Sequence, residues 1–148
     1  MKDDHMKRST IGLIFLLLSG CAIDHGPPGM GKSSWNMGKS SWQLVRIQDG
    51  SGTVFVPDVK AKYTIDFDSL QEVHVRIDCN RGRGKWTSPG PGLLEFSPFA
   101  MTRAACPPGS LHDRIVKQLP HVRSYLVKDN RLYLSLVADG GIYEWERY

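Results

Sequence analysis

Polar and apolar positions alternate with a period of two over most of the chain beyond residue 40. Tyr63, Ile65 and Phe67 alternate with Thr64, Asp66 and Asp68, and Val73, Val75 and Ile77 alternate with His74, Arg76 and Asp78. Leu132, Leu134 and Leu136 share one face of a third run, and Tyr143 and Trp145 one face of a fourth. Successive side chains of a strand point to opposite faces, so each run predicts a strand with one buried and one wet face, as in an antiparallel sheet. Turn-forming residues separate the runs: Asp68-Ser69, Asn80-Arg81-Gly82, Ser88-Pro89-Gly90, Asp129-Asn130 and Asp139-Gly140-Gly141. One stretch breaks the pattern. Leu111, Ile115, Leu119 and Val122 are spaced four or three apart, the interval that lines one face of a helix. Ser110 with Asp113 resembles a capping box, and Pro120 predicts a helix end near Leu119. The expected fold is therefore α+β: a strongly curved, barrel-like antiparallel sheet with one short packed helix, over residues 41–148.

The chain before this region reads as an address. Residues 11–18 are Ile-Gly-Leu-Ile-Phe-Leu-Leu-Leu, preceded by Lys7 and Arg8. As a helix the run is about 12 Å long, well short of a hydrocarbon core of about 30 Å. It predicts a secretory leader over residues 1–20 rather than a membrane span. Met6-Lys7-Arg8 makes a more typical start than Met1-Lys2-Asp3-Asp4, because early acids weaken the positive end. Leu18-Ser19-Gly20-Cys21 resembles the bacterial lipobox, in which cleavage precedes a Cys whose thiol takes a diacylglycerol. Cys21 is the candidate lipid-attachment residue, and each buried CH2 of its acyl chains would contribute about 0.8 kcal/mol of membrane affinity. Ala22 stands where an Asp would resemble an inner-membrane retention signal. The expectation is an outer-membrane lipoprotein facing the periplasm or the cell surface.

Residues 21–40 are rich in Gly, Pro, Ser and Lys, and Gly31-Lys32-Ser33-Ser34-Trp35 recurs as Gly38-Lys39-Ser40-Ser41-Trp42. That composition predicts a flexible tether. Within it, Gly26 to Ser33 match the G-x-x-x-x-G-K-S pattern of a phosphate-binding loop, with Lys32 and Ser33 as the phosphate and magnesium residues. Such a loop needs a buried strand before it and a helix after it. Here a leader and a lipidated Cys precede it and Asn36-Met37-Gly38 follow, so nucleotide binding is not expected.

Composition narrows the class further. The 148 residues are 41% hydrophobic and 23% charged, with 19 Lys+Arg against 15 Asp+Glu. This suits one globular domain with an appendage and excludes a barrel enzyme of about 250 residues. The net charge of +4 favours anionic surfaces without requiring nucleic acid. Of the 3 Cys, Cys21 is assigned to lipid, leaving Cys79 and Cys106. In an oxidising compartment the pair reads as a disulfide, worth about 3–4 kcal/mol by loop entropy; the alternative is two reduced, buried thiols. A zinc site from these cysteines with His74, His112 or His121 lacks ligand spacing, and no metal or other cofactor is expected. Asp66, Asp68 and Glu72 lack the pattern of a calcium loop and read as acids around a hairpin turn. Arg81, Arg83 and Lys85, beside Trp86, form the most basic cluster, suited to phosphate groups of an anionic envelope component. A solvated hairpin is the competing explanation. Thr102 and Arg103 would brace the loop before Cys106.

Two motifs carry a family resemblance. Asp78-Cys79-Asn80-Arg81-Gly82-Arg83-Gly84 resembles the "GCN…G" turn of the META/HslJ-like domain, with Asp78 in place of the usual Gly. Phe99-Ala100-Met101-Thr102-Arg103-Ala104-Ala105-Cys106-Pro107 resembles its Thr-Arg-x-x-Cys-Pro signature. Trp42-Gln43-Leu44 and Asn130-Arg131-Leu132-Tyr133-Leu134 fall in family order around them. The resemblance implies a β-rich fold with a packed helix, an envelope or stress-tolerance association, and no catalytic residues. The expected function is a non-catalytic, lipid-anchored envelope protein with a structural or binding role. Its candidate surface is Asn80, Arg81, Arg83, Lys85, Thr102 and Arg103, and its partner an anionic envelope component or another protein. The alternative is an inhibitor of a secreted hydrolase or a small-ligand-binding module.

Overall fold

A computed structural model describes residues 37–148. The expected leader, Cys21, the 26–33 motif and most of the expected tether lie outside the described residues. The described residues form one compact unit. Its strands are β1 (Ser40–Asp49), β2 (Val54–Phe55), β3 (Tyr63–Phe67), β4 (Glu72–Ile77), β5 (Asn80–Thr87), β6 (Glu95–Phe96), β7 (Ala100–Met101), β8 (Val122–Lys128), β9 (Arg131–Leu136) and β10 (Gly141–Arg147). One helix, α1 (His112–Gln118), precedes β8. The strands form one antiparallel sheet in the order β6-β5-β4-β3-β1-β10-β9-β8, with β2 paired to β1 and β7 to β5. Strand β8 comes back beside the segment leading into β6: Leu94 N–H donates to Arg123 O at 3.1 Å and Tyr125 N–H to Gly92 O at 2.8 Å. The result is a nearly closed barrel. Strands dominate it, so the α+β description fits only loosely.

Alternation decides what fills the interior. Tyr63, Ile65 and Phe67 of β3, Val73, Val75 and Ile77 of β4, Leu132, Leu134 and Leu136 of β9, and Tyr143 and Trp145 of β10 are all buried. Strand β1 adds Trp42, Leu44 and Ile47, and the three-residue step is made by a bulge between Leu44 and Arg46 in its pairing with β10. Met37, inside the stretch that composition assigned to the tether, is buried in the same core, and Ser40 Oγ donates to its carbonyl at 2.7 Å. Phe67, Trp86, Phe96 and Phe99 form an aromatic chain with centroid separations of 5.8, 6.1 and 5.5 Å.

Helix α1 buries Ile115, and the 3-10 turn Leu119–His121 that continues it buries Leu119. Pro120 ends α-helical bonding, as its missing N–H requires, and the chain tightens before entering β8. The capping box is not formed. Ser110 Oγ accepts from His112 N–H at 3.2 Å, while Asp113 turns to His112 Nδ1 at 2.8 Å rather than back to Ser110. Leu111 N–H donates to the Tyr63 hydroxyl at 3.1 Å, and the Tyr143 hydroxyl donates to Gln118, tying both ends of the helix to the barrel.

The Asn80-Arg81-Gly82 stretch is not a turn. The turn is made two residues earlier, by Asp78 and Cys79 between the paired residues Ile77 and Asn80, with Asp78 at φ 54°. Positive φ suits glycine best, and Asp is among the few other residues that adopt it routinely. Strand β5 carries small residues inward because β7 crosses there. A Cβ on Gly82 would sit 2.0 Å from Met101 Sδ and 3.2 Å from Ala100 O.

Candidate functional site

Strand β5 presents two different faces. Its inward positions include Asn80, Gly82 and Trp86, and its outward positions are Arg81, Arg83, Lys85 and Thr87. The sequence grouped Asn80 and Thr102 with a binding surface, but Asn80 is 0% exposed. Asn80 Oδ1 accepts from Thr102 Oγ1 at 2.8 Å and Ala104 N–H at 2.8 Å. Its Nδ2 donates to Ala104 O at 2.9 Å and lies 3.0 Å from His112 Nε2. Two acceptances and two donations exhaust the capacity of an amide side chain. His112 Nε2 must accept here, which leaves Nδ1–H to donate to Asp113. The Thr102 hydroxyl in turn accepts from Arg81 N–H at 3.0 Å. Asn80 is thus a clasp holding β5, the 102–104 segment and α1 together.

The sulfurs of Cys79 and Cys106 are 1.99 Å apart and join the same two segments across a sequence separation of 27. A zinc site from these sulfurs is excluded, since both are consumed by the bond. Among the described residues Asp68, Glu72 and His74 gather within 4.8 Å. Asp68 Oδ1 accepts from Leu70 N–H and Glu72 N–H, each at 2.8 Å, so its carboxylate closes the β3–β4 turn.

Arg81, Arg83 and Lys85 stand in a row on the wet face, and Arg103 is exposed nearby in sequence to Thr102. The β4–β5 register extends the row sideways: Arg76 faces Arg81, His74 faces Arg83 and Glu72 faces Lys85. Of the cations on this wall, Arg76, Arg81, Arg83 and Lys85 have no acidic side-chain partner among the described residues. The β1–β10–β9 part of the sheet differs. There Arg46 bonds Glu144 at 2.6 Å, Arg131 bonds Glu144 at 3.0 Å, and Lys60 bonds Glu146 at 2.7 Å. The Lys60 contact holds the Glu146 carboxyl below the usual carboxylate range. Sequence reasoning missed Arg76 and His74 because they belong to a different run. The signal was present: once the turn is placed at Asp78-Cys79, tight hairpin pairing puts Arg76 opposite Arg81.

Beside this row lies an open cleft of about 450 Å³, lined by Gln43, Thr64, Asp66, Arg76, Arg81 and Tyr148, among others. The Tyr148 hydroxyl donates to Asp66 Oδ1 at 2.9 Å. Partial burial first, and the neighbouring Asp66 carboxylate second, raise the Tyr148 hydroxyl above its ordinary pKa. A second, apolar notch of about 220 Å³ lies between Pro98, Phe99 and Met101 and the Val116, Leu119 and Pro120 side of α1.

The family model described as META domain matches residues 35–144. Among solved structures, the chain is similar to a protein from Burkholderia xenovorans determined by NMR, at 21% identity and a TM-score of 0.65, covering 76% of this chain and 83% of that one. It is also similar to a DUF4847 family protein from Bacteroides vulgatus, a crystal structure, at 13% identity and a TM-score of 0.57, covering 74% and 93%. These likenesses show the fold. No curated protein matches the chain.

Proposed function

The chain belongs to the META domain family, and from that premise we propose that it is a non-catalytic, lipid-anchored envelope protein whose domain binds an anionic component at the outer-membrane surface. The observation that carries this reading is the row Arg81, Arg83 and Lys85 on the outward face of β5, none of them ion-paired among the described residues although Glu72 stands across from Lys85. Clustered cations left unpaired raise the local concentration of anions and speed their capture. The groups best suited to chemistry are committed elsewhere: both domain sulfurs to a disulfide, His112 to Asn80 and Asp113, and Asp68 to a turn. Cys21 provides the anchor and the Gly/Pro/Ser/Lys stretch the reach from the lipid surface. A stress-tolerance role would follow from holding envelope components together.

The test separates anchor from domain. Labelled palmitate should enter the wild-type protein and not Cys21→Ala, and fractionation should move the protein from the outer membrane to the soluble pool. The purified Cys21→Ala protein should then sediment with phosphatidylglycerol vesicles but not neutral ones, and lose this in Arg81→Gln/Arg83→Gln/Lys85→Gln. Equal binding to neutral vesicles, or an unaffected triple variant, refutes the binding role. The apolar notch favours a second reading, a hydrolase inhibitor or small-ligand module. That reading predicts a partner whose binding is lost in Val116→Asp and kept in the triple variant.

A further inference from the structure

We propose that the cleft between Arg76, Arg81 and Tyr148 is a binding site for a sugar carrying one phosphate group. The inference rests on reading the β4–β5 wall as a binding surface, but names a different place on it and a different ligand. Arg76 and Arg81 are cross-strand partners. Like charges directly opposite each other are unfavourable, and neither guanidinium meets an acid among the described residues. Arg76 Nε makes only a long contact with Asp78 O, at 3.5 Å. An anion bridging the two would convert that repulsion into two charge-assisted contacts. A phosphate monoester carries about −1.5 to −2 charge at neutral pH and three acceptor oxygens, and guanidinium matches it in planar, paired geometry. A carboxylate brings half the charge.

The far end of the cleft asks for different chemistry. Asp66, Thr64 and Gln43 line it. Asp66 Oδ1 takes the Tyr148 hydroxyl, leaving the other carboxylate oxygen to accept. Gln43 gives one amide N–H to Glu146 at 3.2 Å, which leaves its carbonyl oxygen to accept and its second N–H to donate. This end offers acceptors and repels a second anion, so it fits ligand hydroxyls. Phosphate at one end and hydroxyls at the other describe a sugar phosphate. The volume falls within the range of about 300–1,000 Å³ common for small-molecule sites.

The phosphate could belong to a free sugar or to a lipid headgroup, and the experiment separates them. The purified Cys21→Ala protein is titrated with glucose 6-phosphate, glucose, inorganic phosphate and phosphatidylglycerol vesicles, following backbone amide resonances. Glucose 6-phosphate should shift residues 64–66, 74–76 and 81–82 saturably, and bind on the order of tenfold more tightly than inorganic phosphate. Arg76→Gln should weaken it by roughly tenfold or more, as loss of a charge-assisted bond does, with an unchanged thermal melt because Arg76 is exposed. Asp66→Asn should weaken the sugar phosphate and leave inorganic phosphate unaffected, and Arg83→Gln should alter neither. No saturable shift at millimolar glucose 6-phosphate overturns the site, as does equal affinity for inorganic phosphate. Vesicle binding that survives Arg76→Gln while sugar phosphate gives nothing would refute this inference and leave the broader binding role standing.

Discussion

Replacing Asn80 with Ala should cost the domain about 2–4 kcal/mol. The side chain is 0% exposed and makes four hydrogen bonds, to Thr102, to both backbone groups of Ala104 and to His112. Each such bond contributes about 0.5–1.5 kcal/mol net. Water can reach the freed groups of Thr102 and Ala104, which are exposed, so the total falls in the lower half of the summed range. For a domain of this size that is a fall in Tm of roughly 10–15 °C. Urea denaturation with the disulfide intact measures it. Asn80→Asp tests the donor side alone: it keeps the two acceptances but sets a carboxylate against Ala104 O and His112. Its loss should be as large at neutral pH and shrink on acidification, when a protonated carboxyl can again donate. The clasp and the Cys79–Cys106 bond pin the same segments. Removing the disulfide, worth about 3.5 kcal/mol by loop entropy, should therefore couple to Asn80→Ala by more than about 0.5 kcal/mol. A loss below about 1 kcal/mol for Asn80→Ala, or strict additivity in the cycle, would refute the account of the clasp.

The β9–β10 connection makes a paired prediction. Gly141 has φ +124° and a Cβ there would lie 2.4 Å from Gln48 O, so Gly141→Ala should destabilise by at least about 2 kcal/mol in the same denaturation assay. Ala138 sits at φ 52° without that crowding, and Ala138→Gly should stabilise by about 0.5–1 kcal/mol. At acid pH, Glu146 matters: its folded pKa is lowered by Lys60, so its contribution is complete above the ordinary carboxylate range and is lost as pH falls through the lowered value. Glu146→Gln should flatten the acid limb of the stability–pH curve. At alkaline pH the sign reverses. Burial raises the Tyr143 hydroxyl, so stability is complete below about pH 10 and lost as pH rises through the folded value; Tyr143→Phe should remove part of that alkaline slope.

The strands β3, β4, β9 and β10 were legible because their buried positions are large apolar residues at every second place and most of the positions between them are polar. Strand β5 was not, for a physical reason. Its inward residues run Asn80, Gly82, Gly84 and Trp86, since β7 and Phe99 occupy the space that apolar side chains would otherwise fill. Without hydrophobic alternation its glycines read as a turn. That misplaced the hairpin by two residues and hid the facing of Arg76 with Arg81. The same cause put Asn80 on the surface: beside exposed arginines, a polar residue looks wet, and only the paired β7 segment reveals what it bonds. Asp129 and Asn130, by contrast, both take positive φ in the β8–β9 turn, as their residue types allow.

Alternation also explains how one strand can serve structure and recognition without conflict. The inward side chains of β5 carry the clasp and the close passage of β7, and a change there should be read as lost stability. Its outward side chains touch none of this machinery. Arg81 joins the clasp only through its backbone N–H and carbonyl, the latter accepting from Thr102 N–H at 2.9 Å, so its guanidinium is free of any structural duty. The β1–β10–β9 part of the sheet shows what the same fold does when cations serve stability: Arg46, Arg131 and Lys60 are each seated on Glu144 or Glu146. A β4–β5 wall built for stability would pair Arg76 and Arg81 with acids across the strands. Instead it sets them against each other, an arrangement that an anion from outside the chain would make favourable by lying between them.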